Sequence, residues 1–257
     1  MGTVIATESA DFYALESLLD DDEQQFLHRV RDFMKTEVEP GVNQHWQRGS
    51  FPFEIVPGFR QLGLAGLPYQ GFGCPGKSFL LDGMVAMELA RTDPSIATFL
   101  GVHGGLSMGS IYLYGSEEQK QHYLPAMARF EKIGAFGLTE PDVGSGASGG
   151  LKTTARREGD TWILNGQKKW IGNATFGDLT VIWAKDVADG QVKGFVVAND
   201  SPGFSTTKLE DKIALRIVQN AVITLDDVSV SEADRLQNAN SFRATAEVLR
   251  MTRAGVA

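Results

Sequence analysis

The sequence GLTEPDVGSGASGG, residues 137–150, decides between two folds for this chain. Within it, residues 144–149 match G-x-G-x-x-G, the pattern of a dinucleotide-binding loop. Such a loop follows a strand directly and opens a helix of a β-α-β unit. Here residues 139–142 separate the glycines from a strand-like segment, and residues 151–164 read as strand and turn. We therefore interpret the match as accidental, which leaves a ligand-facing loop or a plain connection between strands.

Short segments rich in β-branched and aromatic residues surround this loop and predict strands. They are KIGAFGL, TWILN, QKKWI, LTVIWAK, KGFVVA and AVITL, within residues 132–225. The dipeptide Asn165-Gly166 predicts a hairpin turn, and Asp189-Gly190 predicts another. Because no helix separates these strands, we expect an antiparallel sheet or barrel.

The residues before this block predict helices. Apolar residues recur at spacings of three and four after a cap at Asp20, and Pro40 is expected to follow the end of that helix. A second helix is predicted from Ser78 to Arg91. Pro94 then opens a stretch with almost no charge, which predicts a buried helix whose glycines pack closely against a neighbour. Ser116 and Gln119 predict a capping box, at which the next helix begins.

A helical pattern returns after Ala233, with an apolar face formed by Phe242, Ala246, Leu249 and Ala254. No Gly, Asn or Pro ends this helix, so we expect a truncated chain. The predicted fold class is α+β. It has an all-helical domain at residues 1–131, an antiparallel β-barrel or sheet domain at 132–232, and the first helix of an incomplete C-terminal bundle at 233–257.

Composition excludes several classes of function. The chain has 257 residues and a net charge of −8, without a run of Lys or Arg, so we expect no nucleic-acid partner. One cysteine and four scattered histidines predict no metal site. No signal peptide, transit peptide or apolar run of membrane-spanning length is visible, which predicts a soluble, cytoplasmic protein.

Two motifs then give a resemblance. FGLTEPDVGSG is followed about 25 residues later by NGQKKWIGNA, with ELARTDPS, YGSEEQKQHYLPAMA, KIALRIVQN and DDVSV in order around them. The chain resembles the flavin-dependent acyl-CoA dehydrogenase family from about residue 16 to residue 257. The details are most similar to the branch of glutaryl-CoA dehydrogenases and short-chain acyl-CoA oxidases. The family has a helical domain, a β-domain and a C-terminal four-helix bundle.

The resemblance implies an FAD cofactor and an acyl-CoA substrate. The implied FAD contacts are Phe136, Gly137, Leu138, Thr139, Gly144, Ser145, Trp170, Ile171 and Gly172. The implied substrate contacts are Thr98, Ser145, Leu249 and Arg253. Without the motif, Trp170 would be interpreted as a core residue and Arg253 as a surface residue of a helix.

Three departures from the family pattern bear on chemistry. Gly172 stands where most members have Thr, and Gly146 stands where they have Asp. Glutaryl-specific members have an arginine where this chain has Ala97. A buried carboxylate without a cationic partner is costly, so a glutaryl group is disfavoured and a short or medium straight acyl chain is preferred.

The family's catalytic base is a glutamate in a Tyr-Glu-Gly-Thr-like motif, which this sequence lacks. We assign no catalytic residue and expect the chain to be part of a catalytic unit that performs α,β-dehydrogenation in fatty acid metabolism. Electrons would pass to an electron-transfer flavoprotein or to oxygen, and the full-length protein would be a homo-oligomer, either a dimer or a homotetramer. The alternative is a non-catalytic scaffold or partner subunit.

Overall fold

The computed structural model describes Asp11 and residues 13–253. The helices are α1 (Asp21–Phe33), α2 (Glu39–Arg48), α3 (Val56–Leu62), α4 (Phe79–Thr92), α5 (Pro94–Leu100), α6 (Gly109–Tyr114), α7 (Glu117–Ala128), α8 (Ala147–Gly150) and α9 (Phe242–Arg253). Within these residues, seven strands form a single sheet: β1 (Gly134–Gly137), β2 (Thr154–Glu158), β3 (Thr161–Ile171), β4 (Leu179–Asp186), β5 (Val192–Ala198), β6 (Phe204–Lys208) and β7 (Ala221–Ser231). The predicted order, helices followed by a sheet and a final helix, is confirmed.

Most predicted helix starts are confirmed by their caps. The Asp20 carboxylate accepts a hydrogen bond from the backbone of Glu23 (2.8 Å), and Ser78 caps α4 in the same way. Ser116 and Gln119 form the reciprocal capping box of α7. These side chains satisfy backbone N–H groups that have no partner inside their own helices.

The predicted end of the first helix before Pro40 is wrong. The π-helical turn Met34–Val38 joins α1 directly to α2, and Pro40 lies in the first turn of α2. Proline cannot donate an N–H to the preceding turn, so the residue at position 40 makes no such helical bond.

The uncharged stretch after Pro94 forms one continuous helix, in which a π-helical segment, Gly101–Met108, joins α5 to α6. Close packing explains three of its glycines. A Cβ on Gly109 would lie 2.7 Å from the Tyr69 hydroxyl, and Gly104 and Gly105 also face near neighbours. A Cβ on Gly101 would meet nothing within 4 Å, so that part of the packing prediction is wrong.

Among the described residues, this Pro94–Tyr114 helix is also the one whose length and composition would allow a membrane crossing. Its 21 residues are 56% buried within the protein over their most apolar window. Burial of that extent is typical of a core helix.

The sheet is mixed, which corrects the antiparallel prediction. β1 and β2 both run parallel to β4, whereas the β2–β3, β3–β7, β4–β5 and β6–β7 pairs are antiparallel. β1 pairs with Leu179–Ile182 of β4, and β2 pairs with Lys185 and Asp186 further along the same strand. Between β1 and β2 the chain leaves the edge of β4, forms a loop at residues 138–153, and then pairs with β4 again in the same direction. A pattern of consecutive strands in the sequence does not reveal that two of them pair with the same neighbour.

The hairpin predicted at Asn165-Gly166 is also wrong, because β3 continues through both residues. The Asn165 amide instead exchanges two hydrogen bonds with Asp227, which bulges from β7. The β2–β3 turn lies at Gly159, where φ is +63°. The turn at Asp189-Gly190 joins β4 to β5, as predicted.

Helix α9 packs through Ala244, Thr245 and Val248, which are buried. Phe242 and Leu249 also contact the core, but Ala246 is exposed, so the predicted face is wrong at that position. Ala254 lies outside the described residues. The error arises because the apolar positions of a short helix are compatible with more than one face.

His103 joins the helical layer to the start of β1. Its Nε2–H donates to the Met127 carbonyl and its Nδ1 accepts from the Gly134 N–H, each at 3.0 Å. The bond from Gly134 requires the neutral ring, since a protonated ring has no acceptor. Burial lowers the pKa of His103 to about 4, although Asp178 opposes that shift.

We predict that the free energy of unfolding falls as the pH falls from 6.5 towards 4. In that window the unfolded chain binds a proton at His103 that the folded chain excludes, so His103 disfavours folding progressively. Between pH 7 and pH 5 its contribution amounts to about 2 kcal/mol, measurable by urea unfolding. The variant His103→Gln should lack this part of the pH dependence, and an unchanged slope would contradict the assignment.

Candidate functional site

The candidate site begins at the loop between β1 and β2, residues 138–153. Glu140 holds the two ends of this loop together, and we call the point where they meet the neck of the loop. The Glu140 carboxylate accepts hydrogen bonds from the backbone N–H groups of Lys152 (2.7 Å) and Thr153 (2.9 Å). Its own backbone exchanges two bonds with Val143. Gly166 passes so close that a Cβ there would lie 2.7 Å from the Thr153 Cα. The loop therefore leaves and re-enters the sheet at one fixed point.

Lys168 of β3 lies beneath this neck with no exposed side-chain surface. Its ammonium donates to the Glu140 carboxylate (2.9 Å) and to the Leu138 carbonyl (3.2 Å). Burial lowers the pKa of Lys168 to about 8, and Glu140 opposes the shift. Burial raises the pKa of the Glu140 carboxyl, but Lys168 and the loop N–H groups hold it below its ordinary value. The pair is charged and almost wholly desolvated.

Thr139 presents hydrogen-bond donors that nothing in the described part of the chain accepts. Its carbonyl accepts from the Lys169 N–H (2.8 Å), but its own N–H and hydroxyl have no partner there. The residue is half-buried, and backbone groups in such positions are normally paired. Unpaired donors at a partly covered point are suited to a ligand with acceptor atoms.

Trp170 directly follows Lys169, whose N–H binds the Thr139 carbonyl. Residues 168 and 170 would share one face of a regular strand, and that face is buried at Lys168. A bulge opposite β7 breaks the alternation, and Trp170 takes a φ of +65°. The residue is consequently 55% exposed. A left-handed tryptophan costs about 1–3 kcal/mol and is typical of functional sites.

Ile171 and Gly172 continue from Trp170 into the interior. Ile171 is buried, and a Cβ on Gly172 would lie 3.3 Å from a methyl group of Val102. The Asn220 amide donates to the Trp170 carbonyl (3.2 Å) and so stabilises the bulge. Next along the chain, Asn173 donates to the carbonyls of α5 and β1, which ties this end of β3 to the helix.

The glycine-rich part of the loop is exposed. A Cβ on Gly144, Gly146 or Gly149 would meet nothing within 4 Å, so no contact within the described chain requires these glycines. The Ser145 side chain is exposed and has no hydrogen-bond partner among the described residues. Helix α8 adds only one turn, too short for the helix of a β-α-β unit. The dinucleotide interpretation remains excluded, and the backbone is open to a ligand.

The predicted site residues fall into two groups. The implied FAD contacts include Thr139, which bonds to β3 at the residue before Trp170, with Leu138, Gly137 and Phe136 preceding it along the chain from β1. Phe136 packs against Trp183, and Gly137 lies against Ile182, so these two serve the core as well.

The implied substrate contacts are more dispersed. The Thr98 hydroxyl donates to the Pro94 carbonyl (2.8 Å) within its own helix. Helix α9 crosses the π-helical segment at Thr252, which approaches Gly105. Leu249 packs on the core beside this crossing, and Arg253 is exposed at the end of α9.

Two buried glutamates are bound in ion pairs and are therefore not free to act as bases. Glu88 pairs with Arg31 (2.8 Å), and Glu140 pairs with Lys168. Glu117 and Glu118 are exposed in the first turn of α7. Among the described residues, no three His, Cys, Asp or Glu side chains stand close enough together to hold a metal ion.

Sequence reasoning missed the residues that hold the site together, namely Lys168, His103, Asn173 and Asn220. One signal was present, since the charged Lys168 occurs at an inward-facing position of a strand pattern. A cavity of about 420 Å³ between α7, β5 and β7 was also not predicted. It is lined by residues such as Tyr123, Lys132 and Ser229, and none of the predicted site residues borders it.

Comparisons with known proteins agree across most of the chain. Residues 20–131 match the model of the acyl-CoA dehydrogenase N-terminal domain, and residues 135–228 match that of the acyl-CoA dehydrogenase middle domain. The mitochondrial short-chain specific acyl-CoA dehydrogenase of Rattus norvegicus is 33% identical over 240 residues, covering 91% of this chain and 58% of the relative.

Solved structures give the same result. A glutaryl-CoA dehydrogenase from Mycobacterium smegmatis in complex with FADH2 superposes with a TM-score of 0.90 at 39% identity, over 95% of this chain and 62% of that one. The butyryl-CoA dehydrogenase from Megasphaera elsdenii gives a TM-score of 0.87 at 30% identity, over 93% and 64% respectively. The chain thus spans about three fifths of the length of these relatives.

The neck of the loop yields a prediction at Gly166, whose φ of +141° and contact with the Thr153 backbone leave no room for a side chain. Gly166→Ala should lower the free energy of unfolding by about 2–3 kcal/mol. Gly144→Ala, at an open position, should change it by less than about 0.5 kcal/mol. Urea unfolding of both variants measures the difference, and equal midpoints would contradict the close approach.

Proposed function

The chain belongs to the acyl-CoA dehydrogenase family, and from this premise we propose that it supplies the FAD-facing part of an enzyme that dehydrogenates acyl-CoA thioesters. The observation that carries the proposal is the junction of Thr139 with β3, where the Thr139 carbonyl binds the N–H of Lys169, the residue before Trp170. Thr139 has unpaired backbone and hydroxyl donors, and Trp170 is exposed on a strained strand. A flavin needs such a combination, because its ring is flat and its edge carries hydrogen-bond acceptors.

The described residues fit an FAD in their chemistry as well as their position. Leu138 and Thr139 would form one wall and Trp170 to Gly172 the other, while the open backbone at Gly144 and Ser145 would extend the first wall. When bound, FAD supplies the two-electron acceptor for removal of hydrogen from the α- and β-carbons of the acyl group. The buried Lys168–Glu140 pair would keep water from the rear of the Thr139 peptide.

For the substrate, we propose that Ser145 and Arg253 contact acyl-CoA from opposite sides, with Thr98 and Leu249 between them. Both Ser145 and Arg253 are exposed, and no interaction within the described chain occupies them. Ala97 offers no charge for a second carboxylate, which supports a short or medium straight acyl chain over a glutaryl group.

We propose no catalytic base among the described residues. The buried carboxylates Glu88 and Glu140 already have cationic partners, and removing a proton would require breaking those pairs. The proposal therefore assigns binding and orientation to these residues. An electron-transfer flavoprotein or oxygen would reoxidise the flavin, and the working form would be a homodimer or homotetramer.

The fit of FAD yields a prediction at Thr139. Thr139→Val keeps the shape of the side chain but removes the hydroxyl donor, so the dissociation constant for FAD should rise about fivefold to tenfold. Trp170→Ala, which removes the stacking surface, should raise it by a similar factor. Thr207→Val, at an exposed position of β6, is the matched control. Fluorescence titration of the flavin-free protein measures all three, and equal affinities would contradict the site.

The proposed reaction is tested on the native protein, purified with its flavin and kept anaerobic. Butyryl-CoA or octanoyl-CoA should bleach the visible flavin absorbance, and glutaryl-CoA should bleach it far less. Bleaching by glutaryl-CoA alone would overturn the preference for straight acyl chains. A native protein that holds no flavin and does not respond to any acyl-CoA would instead support a scaffold or partner role.

A further inference from the structure

Lys168 stands at the point where the flavin-side loop meets the sheet. The lysine extends from β3 towards the loop. Its Cγ lies 3.4 Å from the point that a Cβ on Gly137 would occupy. Glycine at that position lets the strand approach the lysine closely. The ammonium group then binds the Leu138 carbonyl at 3.2 Å and the Glu140 carboxylate at 2.9 Å. One buried cation thus holds both a backbone carbonyl and the side chain that closes the loop.

The hydrogen bond from Lys168 to the Leu138 carbonyl determines the orientation of the peptide group between Leu138 and Thr139. In a trans peptide the carbonyl and the N–H point in opposite directions, and the described chain contains no cis peptide bond. Because the Leu138 carbonyl points inward to Lys168, the Thr139 N–H points away from Lys168. That N–H is the donor without a partner among the described residues, and Trp170 is the residue after the one that binds the Thr139 carbonyl.

Glu140 fixes the position of the other end of the loop. Its carboxylate binds the N–H groups of Lys152 and Thr153, twelve and thirteen residues further along the chain. The Lys168 ammonium neutralises the carboxylate, which is only 2% exposed. A buried ion pair of this kind specifies one arrangement, since removing either partner leaves the other charge unpaired.

We propose that Lys168 is a positioning residue for FAD, holding the Leu138 carbonyl inward so that the Thr139 N–H is presented to the cofactor. The proposal rests on the proposed function, since it names the residue that prepares the FAD-facing peptide. Lys168 does not touch the cofactor in this role. It acts through the Leu138–Thr139 peptide, and Glu140 holds the lysine in place.

The test separates positioning from simple stabilisation by comparing Glu140→Gln with the double variant Glu140→Gln/Lys168→Met. The single variant keeps an amine that donates to Leu138 but leaves a buried cation without its partner. The double variant has neither charge, so its urea midpoint should equal or exceed that of the single variant. Positioning requires the opposite order for FAD, with a dissociation constant about tenfold higher in the double variant.

Two readouts besides activity are used. Fluorescence titration gives the dissociation constant for FAD, and the visible spectrum and reduction potential of bound FAD report the donors around it. Both should shift in the double variant relative to Glu140→Gln. If FAD affinity follows the urea midpoints, or if spectrum and potential are unchanged, Lys168 has only a structural role and the proposal is overturned.

A measurement without FAD keeps the two proposals distinguishable. Amide hydrogen exchange at Lys152 and Thr153 should quicken by about tenfold or more in Glu140→Gln and Lys168→Met. Lys152→Met is the matched control, because the Lys152 side chain forms only an exposed pair with Asp142. Failure of the wild-type chain to bind FAD would overturn the proposed function, whereas unchanged exchange in the variants would overturn the role of Lys168.

Discussion

The buried ion pair of Lys168 and Glu140 is the interaction on which the arrangement of the site depends. Two charges with almost no solvent contact are held by four hydrogen bonds, three of them to loop backbone. Because β1 and β2 are collinear segments along β4, the loop between them is not itself a strand, and it bonds to the sheet backbone near its two ends, at Thr139 and Thr153. The ion pair adds a side-chain constraint that fixes where the loop leaves and re-enters the sheet.

A second constraint acts on β3, which forms the other wall of the candidate FAD site. The bulge at Lys169-Trp170 moves the tryptophan from the buried face of β3 to the exposed one, at the cost of an unfavourable backbone conformation. The Asn220 amide donates to the Trp170 carbonyl and stabilises the bulge, and Asn173 ties the chain just after β3 to α5 and β1. Strain maintained in this way is typical of sites that must present a side chain in a fixed position.

Much of the fold was predictable because local signals agreed with the tertiary structure. The caps at Asp20 and Ser116 lie at real helix starts, since capping depends on residues within one turn. Predictions failed where a distant contact decides. Asn165-Gly166 has the composition of a hairpin, but the bulged Asp227 and the neighbouring Thr153 make it part of a strand.

The sequence by itself determined the order of helical and β-structured regions, the family, and the two motifs whose residues form the candidate FAD wall. These follow from local periodicity and from motif spacing, which need no knowledge of the folded chain. Only the tertiary structure decided that the sheet is mixed, that Trp170 is exposed, and that Lys168, Glu140 and His103 hold the site together. The reason is physical: parallel pairing, a bulge and a buried charge each depend on partners that are distant in sequence.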